Sequence, residues 1–216
     1  MSKRIFLTGG TGYIGSRLIP RLVAAGHHVK ALTRESSRGK LPTGCEAVIG
    51  DALNGKSYES ALRDCDTFVQ LVGVPHPSPA KAKEFVAIDQ KSGLDAIAAA
   101  AHSGIQHFVY VSVAHPAPTM HAYIAARSKC EDALQESGIN ATILRPWYVL
   151  GPGHYWPYAL VPFYWLFERI PSKRESALRL GLVKLPQVLN ALHYAVEHPV
   201  SGIKIMEVPE IRRAIP

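Results

Sequence analysis

A glycine-rich loop near the N-terminus constrains the fold of this chain more than any other feature of its sequence. Gly9, Gly12 and Gly15 are spaced as G-x-x-G-x-x-G, directly after the apolar run Arg4–Leu7 and directly before the amphipathic segment Ser16–Ala25. Between a strand and a helix, such glycines permit a tight turn and let the backbone approach a pyrophosphate. The phosphates then lie at the positive end of the helix. The loop therefore predicts a dinucleotide-binding unit, and this context disfavours a glycine loop without a ligand.

The remaining pattern alternates short β-rich runs with helix-length amphipathic segments. The sequence predicts strands at Arg4–Leu7, His28–Leu32, Ala47–Ile49, Thr67–Leu71, His107–Val111 and Ala141–Leu144. It predicts helices at Ser16–Ala25, Lys56–Arg63, Lys83–Ala101 and Ala122–Glu136. Such alternation implies right-handed crossovers and a parallel sheet covered on both faces. The predicted fold class is α/β, a Rossmann-type doubly wound parallel sheet.

The chain shows no internal repeat and no linker-like stretch, so we expect one NAD(P)-binding Rossmann domain over residues 1–216. From Gly151 onwards the sequence is less regular and richer in proline and aromatic residues. We expect residues 151–216 to contribute a small C-terminal cap on the substrate side of that domain.

The positive charge of the chain is concentrated in its first forty residues. Residues 1–40 hold eight Lys/Arg and one acid, whereas residues 41–216 hold sixteen of each. A nucleic-acid binder would be expected to spread basic residues over a larger surface, and no binding module is recognisable. Because the excess surrounds the glycine loop, we expect a phosphorylated small molecule as ligand and no nucleic-acid partner.

These motifs resemble those of the atypical and extended short-chain dehydrogenase/reductases, including the NmrA-like and the epimerase/dehydratase-like branches. Besides the glycine loop, the resemblance is carried by Gly50-Asp51, Leu71-Val72-Gly73, Phe108–Ser112 and Ile143–Pro146. It implies that Asp51 lies beside the adenine and that Leu71–Gly73 line the cofactor cleft. The full predicted cofactor-binding set is Gly9, Thr11, Gly12, Tyr13, Ile14, Gly15, Thr33, Arg34, Asp51, Leu71, Val72, Gly73, Arg127 and Pro146.

The end of the second predicted strand indicates which nicotinamide cofactor is preferred. In NAD-specific relatives an acid there binds the ribose 2′-hydroxyl, whereas this chain has Thr33-Arg34 and no acid before Glu35. An arginine can pair bidentately with a 2′-phosphate, and the following segment 36–40 adds donors and positive charge. We therefore expect NADP(H) to be preferred over NAD(H). The alternative is that Arg34 is only a surface arginine.

The resemblance also implies a catalytic tyrosine, a lysine four residues later and a serine after the fifth strand. Ser112 takes the serine position, where it would hydrogen-bond a substrate carbonyl, and Tyr123 is the candidate general acid/base. Arg127 stands where relatives have lysine, and Lys129 lies on another face of the helix. An unperturbed tyrosine has a pKa near 10, so a neighbouring cation is needed to make its phenolate accessible.

Two interpretations of this altered site stay open. Tyr123 and Arg127 could run a modified redox site, which predicts an NADP(H)-dependent oxidoreductase for a small, possibly apolar carbonyl or alcohol substrate. Alternatively, the chain only binds NADP(H), as a sensor or assembly factor of the NmrA-like type. Epimerase or dehydratase chemistry is less favoured, because residues 151–216 are few for a nucleotide-sugar domain.

The aromatic-rich stretch Tyr155–Phe167 is too short to span a membrane. It predicts cap packing or a homodimer interface, an apolar substrate wall, or, less favoured, a membrane-surface patch beside Arg169, Lys173 and Arg174.

The histidines and cysteines predict little chemistry. His115 and His121 could touch substrate, although exposed loop histidines are the commoner case. The other histidines show no ligand spacing, so no metal site is predicted. Three widely spaced cysteines and the lack of a signal-like N-terminal segment predict a reduced, cytoplasmic protein.

Overall fold

Seven parallel strands form the central sheet of the protein. The structure is a computed structural model, which describes residues 2–153 and 159–215. Its strands are β1 (Arg4–Thr8), β2 (His28–Thr33), β3 (Glu46–Ile49), β4 (Thr67–Gln70), β5 (His107–Val111), β6 (Asn140–Arg145), β7 (Val149–Leu150), β8 (Val183–Lys184) and β9 (Ile203–Glu207). The central sheet has the order β3-β2-β1-β4-β5-β6-β9, and β7 pairs with β8 separately. The predicted doubly wound α/β fold is confirmed.

Helices cover both faces of this sheet. They are α1 (Gly15–Ala24), α2 (Ala82–Glu84), α3 (Lys91–His102), α4 (His121–Ser137), α5 (Val161–Phe167), α6 (Pro171–Arg179), α7 (Leu185–Glu197) and α8 (Val208–Arg213). Because side chains alternate along a strand, Ile5 and Leu7 face a core shared with α1 and α7. Phe6 faces the opposite core, shared with α3 and α4, where the Phe68 and Phe108 rings stack with centroids 4.9 Å apart.

Two predicted helices differ from the structure. The helix predicted over Lys56–Arg63 is wrong: two 3₁₀ turns, Gly55–Ser57 and Glu59–Leu62, stand there instead. Tyr58 interrupts them with φ −135° and buries its ring 5.4 Å from the ring of Phe6, so packing overrides the helical pattern. The helix predicted over Lys83–Ala101 is continuous, but it includes a π-helical segment at Phe85–Gln90.

The C-terminal third is integrated into the sheet more fully than the sequence predicts. β9 pairs with β6 in parallel from Ala141–Ile203 to Arg145–Glu207, and α7 and α8 belong to the α1 core. The prediction of a cap over all of residues 151–216 is therefore wrong for residues 185–213. The sequence does not show this strand as a continuous apolar run, because β9 is an edge strand in which Lys204 and Glu207 interrupt the apolar residues. No helix of the described residues is long and apolar enough to cross a bilayer.

His107 gives the core a predictable sensitivity to acid. It is buried at the start of β5, with Nε2 3.1 Å from Thr142 Oγ1, and burial lowers its pKa to about 4, with a smaller contribution from the charge of Lys3. The unfolded chain then binds a proton at His107 below about pH 6.5, before the folded chain does. Stability supported by neutral His107 is present above pH 6.5 and is lost as the pH falls towards 4.

We therefore expect the free energy of unfolding to drop by up to roughly 3 kcal/mol from this residue between pH 6.5 and 4. Urea unfolding at several pH values should show a shallower acid slope for His107→Gln than for the wild type. The exposed His102→Gln variant is the control and should keep the wild-type slope. Equal slopes for His107→Gln and the wild type would contradict the assignment.

Candidate functional site

A cavity of about 780 Å³ opens at the carboxyl ends of the strands, next to the point where the strand order reverses between β1 and β4. Parallel α/β sheets bind ligands at this switch point, and the volume is that of a small-molecule site. The cavity brings together every residue predicted from the sequence for catalysis or cofactor binding: Gly9, Thr11, Gly12, Tyr13, Ile14, Gly15, Thr33, Arg34, Asp51, Leu71, Val72, Gly73, Ser112, Tyr123, Arg127 and Pro146.

The glycine loop passes so close to neighbouring backbone that two of its positions have no room for a side chain. Gly9 has φ +75°, and a Cβ there would lie 2.9 Å from the backbone carbon of Leu71. A Cβ on Gly15 would overlap the Gly9 carbonyl. Gly12 N–H donates to the Gly9 carbonyl at 3.0 Å, and no side chain caps α1 at Ile14. Gly15, the first residue of α1, lines the cavity, so the positive end of this helix faces the cavity and favours phosphate oxygens there.

The loop after β2 places the positively charged side chain of Arg34 at the cavity. Arg34 is exposed and, among the described residues, has no ion-pair partner. Its carbonyl accepts hydrogen bonds from the Thr33 hydroxyl at 3.2 Å and from the Ser37 N–H at 2.8 Å. Asp51, after β3, accepts the Leu53 N–H at 2.9 Å. These contacts fix the backbone while the Arg34 guanidinium stays available to a ligand.

Arg127 is held in a buried network. Its guanidinium is 2.6 Å from the Asp89 carboxylate and donates to the Val111 carbonyl at 2.7 Å, with a longer contact of 3.4 Å to the Val72 carbonyl. Arg127 is 4% exposed and Asp89 is fully buried. A Cβ on Gly73 would overlap the Arg127 guanidinium, so glycine is required there. Arg127, predicted to bind the cofactor, is therefore a wall residue whose Nη groups already have protein partners.

Tyr123 lies over this guanidinium. Its ring centroid is 5.3 Å from Arg127 Cζ and 4.8 Å from the Phe85 ring centroid, so the predicted shared helix face is confirmed. Burial raises the pKa of Tyr123, and the positive charge of Arg127 opposes that rise. The net direction is upward, so at neutral pH the side chain is a phenol that can donate a proton.

Ser112 uses its only proton inside the protein. Its hydroxyl donates to the buried Glu131, which also binds Arg145 and lies 3.6 Å from His115 Nε2. Arg145 continues the network to Glu207 at 3.1 Å. A substrate carbonyl needs a donor, so this geometry does not fit the carbonyl-binding role predicted for Ser112. The hydroxyl offers acceptor lone pairs to the cavity instead.

Sequence reasoning missed Asp89 and Glu131, which hold the predicted residues in place. Asp89 directly follows the apolar run Phe85–Ile88, and a buried acid next to apolar residues indicates a paired charge. Glu131 lies four residues after Arg127 on α4, so both occupy one face. Neither His115 nor His121 is among the described residues that line the cavity.

One group of described residues could offer three metal ligands. The Nε2 atoms of His27 and His193 and a carboxylate oxygen of Glu197 lie within 4.8 Å of one another, on α7 and before β2. However, the Lys3 N–H donates to His27 Nδ1 at 3.2 Å, which places the neutral ring's proton on Nε2, the atom that would have to bind the ion. We therefore interpret the group as polar contacts of Glu197, which lies 3.6 Å from His27 and 3.5 Å from His193, and not as a metal site.

Residues 9–153 match the model of the NAD(P)H-binding protein family. The chain belongs to this family. The NAD(P)-binding Rossmann unit that the motifs and the resemblance predict is thereby confirmed.

Relatives of known activity are distant and longer. The chain is 22% identical over 211 residues to the ceramide reductase of Caulobacter vibrioides, covering 97% of this chain and 65% of that protein. It is 25% identical over 170 residues to a farnesyl-dihydroquinoline-oxide ketoreductase of Stigmatella aurantiaca, covering 68% of this chain and 51% of that protein. The chain thus spans two thirds or less of these relatives.

A solved structure shows the same fold. The Bordetella bronchiseptica enzyme WbmH, in complex with NAD+, superimposes with a TM-score of 0.71 at 21% identity, over 96% of this chain and 76% of that one. At this identity the similarity shows the fold alone.

Gly12 provides a direct test of the glycine loop. A Cβ there would lie 3.1 Å from the Gly9 carbonyl, tight but without overlap, so Gly12→Val should still fold. It should nevertheless lose most NADPH binding, because its branched side chain would stand where the pyrophosphate approaches the backbone.

NADPH fluorescence titration measures this loss, and circular dichroism melting confirms that the variant is folded. Gly39→Ala is the matched control, since a Cβ at Gly39 meets nothing within 4 Å. A folded Gly12→Val variant with wild-type affinity would refute the assigned loop.

Proposed function

We propose that the protein is an NADP(H)-dependent oxidoreductase that interconverts an apolar ketone or aldehyde and the corresponding alcohol. The observation that carries this proposal is the position of Tyr123. A phenol that stays protonated shares one cavity with a glycine loop and an uncapped helix N-terminus. That arrangement combines a dinucleotide site with a proton donor.

The residues present fit a dinucleotide. The concave backbone at Gly9–Gly15, too crowded for side chains at two positions, and the positive N-terminal end of α1 would hold the pyrophosphate. Arg34 would pair with a 2′-phosphate. In NAD-specific proteins an acid at the end of β2 binds the ribose 2′-hydroxyl, and this chain has Thr33 and Arg34 there instead. When bound, the nicotinamide supplies a hydride to a carbonyl carbon or accepts one from an alcohol.

The protein's own part in reduction is the transfer of a proton. Tyr123 gives its phenolic proton to the carbonyl oxygen, and Arg127, held by Asp89, lies beside the phenolate that results. In the reverse direction the phenolate takes the proton of the alcohol. Ser112, whose proton is directed to Glu131, donates nothing to the substrate oxygen in this arrangement and contributes to the cavity wall.

Two observations support an apolar substrate. The cavity continues from Tyr123 to walls formed by Val74, Ile88, Trp147 and Val149. The relatives named above act on a ceramide and on a farnesylated dihydroquinoline oxide, both with long hydrocarbon parts. A binding site of this kind gains affinity from the hydrocarbon area it removes from water.

The contacts that Arg127 already makes within the protein favour a second candidate function. A guanidinium already bound to Asp89 and two carbonyls has less capacity to bind a ribose than the lysine of relatives. An NADP(H) sensor or assembly factor would retain the glycine loop and Arg34 and would not need Tyr123.

Cofactor preference is tested by removing the predicted phosphate ligand. Arg34→Ala should weaken NADPH binding by about 1–3 kcal/mol, or roughly 5- to 150-fold, and should leave NADH binding nearly unchanged. Calorimetric titration of both cofactors measures the ratio of their Kd values. Arg63→Ala, which removes an exposed arginine that does not line the cavity, is the control. Equal wild-type affinity for NADPH and NADH would rule out the preference.

Turnover is tested at Tyr123. With a panel of long-chain and cyclic ketones, Tyr123→Phe should lower kcat by about 10²–10⁴-fold, because the proton donor is lost. NADPH affinity should barely change, because the hydroxyl acts on substrate. If no member of the panel oxidises NADPH above background, and NADPH binding still depends on Arg34, the sensor function is the better account.

A further inference from the structure

Helix α5 exposes three large hydrophobic side chains within four residues. Phe163 is 59% exposed, Trp165 60% and Leu166 49%. The other exposed large hydrophobic residues of the described chain lie on β3, the π-helical segment, β9 and near the C-terminus. A soluble protein rarely concentrates apolar side chains in this way unless the surface binds something.

Unpaired positive charges adjoin this surface. Arg169 places its guanidinium carbon 3.3 Å from the Trp165 ring centroid, and Lys173 places Nζ 4.8 Å from that of Phe167. Arg174 is exposed one residue further along α6. In the described structure none of these three cations has an ion-pair partner.

The nearby acids do not neutralise the charge. Glu168 pairs with Arg212 at 2.9 Å, and Glu175 pairs with Arg179 at 3.4 Å. The local excess is therefore positive, and it directly borders the aromatic side chains. Aromatic residues beside Lys and Arg are the composition that binds the interface of an anionic lipid membrane.

The same helix connects this surface with the cavity. Burial raises the pKa of Tyr164, while a hydrogen bond from the Trp147 side chain opposes that rise. Tyr164 thus packs towards Trp147 and Tyr148, which both line the cavity. The sequence leaves open whether this aromatic stretch forms a pocket wall or a membrane patch. Tyr164 faces the cavity wall, whereas its neighbours Phe163 and Trp165 are exposed on the outer surface. Tyr155, Trp156 and Tyr158 lie outside the described residues.

We propose that α5 and the start of α6 dock the protein on an anionic lipid surface, next to the mouth of the cavity. Phe163, Trp165 and Leu166 enter the interface between headgroups and acyl chains, while Arg169, Lys173 and Arg174 contact lipid phosphates. An apolar substrate dissolved in the bilayer then reaches the cavity along Tyr164. Only this last step rests on the proposed function.

A second copy of the chain fits this surface less well than a lipid bilayer. A two-fold interface would bring the same patch of both subunits together, and therefore also the three cations of each. Like charges held this close repel, whereas anionic lipid phosphates attract them.

The docking is tested by flotation with vesicles of phosphatidylcholine, with and without phosphatidylglycerol. The wild type should float with the anionic vesicles, lose binding at high salt and show a blue shift of tryptophan fluorescence. The double variant Phe163→Ser/Trp165→Ser and the double variant Lys173→Glu/Arg174→Glu should each lose vesicle binding while keeping NADPH affinity.

Matched controls come from elsewhere on the surface. Val86→Ser removes an apolar side chain that is 54% exposed, and Lys56→Glu/Arg63→Glu changes the net charge by the same amount at exposed positions. Both should bind vesicles like the wild type. The proposal is overturned if the wild type ignores anionic vesicles or if the controls lose binding equally.

Three further outcomes separate membrane docking from a subunit interface and from the proposed enzymatic activity. If sedimentation shows a dimer that Phe163→Ser/Trp165→Ser dissociates, and no vesicles bind, the patch is a subunit interface and the proposal is overturned. Vesicle binding without any turnover supports docking and contradicts the enzyme. Turnover of a detergent-dispersed ketone without vesicle binding supports the enzyme and contradicts docking.

Discussion

The ion pair between Arg127 and Asp89 is the contact on which the rest of the site depends. Both side chains are buried, and removing one partner of such a pair typically costs about 3–5 kcal/mol because the other charge is left uncompensated. The pair joins four segments: α4 through Arg127, the π-helical segment through Asp89, and the carboxyl ends of β4 and β5 through their carbonyls. Asp89 also accepts the Val74 N–H at 3.0 Å, which fixes the loop after β4.

Helix α4 organises the chemistry through its periodicity. Tyr123, Arg127 and Glu131 are spaced four residues apart, so one face of the helix carries the proton donor, the buried cation and the partner of Ser112. Glu131 in turn binds Arg145 on β6, whose other partner lies on β9. One helix face thus fastens the carboxyl ends of three strands, and the donor is positioned by the same contacts that hold the sheet edge together.

The sequence predicted the inner strands and the cavity residues well for a physical reason. Buried parallel strands are short apolar runs, and the ends of such strands must meet at one edge, so Gly9, Leu71 and Ser112 could be brought together by topology alone. The missed features depend on partners far away in the chain. The apolar run before Asp89 indicates a buried acid, but its partner is identified only once Arg127 is placed beside it, and in β9 the charged Lys204 and Glu207 interrupt the apolar residues.

Replacing lysine with arginine changes what the cation can do for the tyrosine. A lysine ammonium is a compact charge that can move between a ribose hydroxyl and a phenolate, and its pKa shifts readily on burial. The planar guanidinium spans Asp89 and the Val111 carbonyl and lies over the rings of both Tyr110 and Tyr123, so its position is fixed by several contacts at once. It also stays charged at any pH at which the protein folds. The availability of a proton at this site is therefore governed by Tyr123 itself and by the burial that raises its pKa, because the neighbouring cation does not titrate.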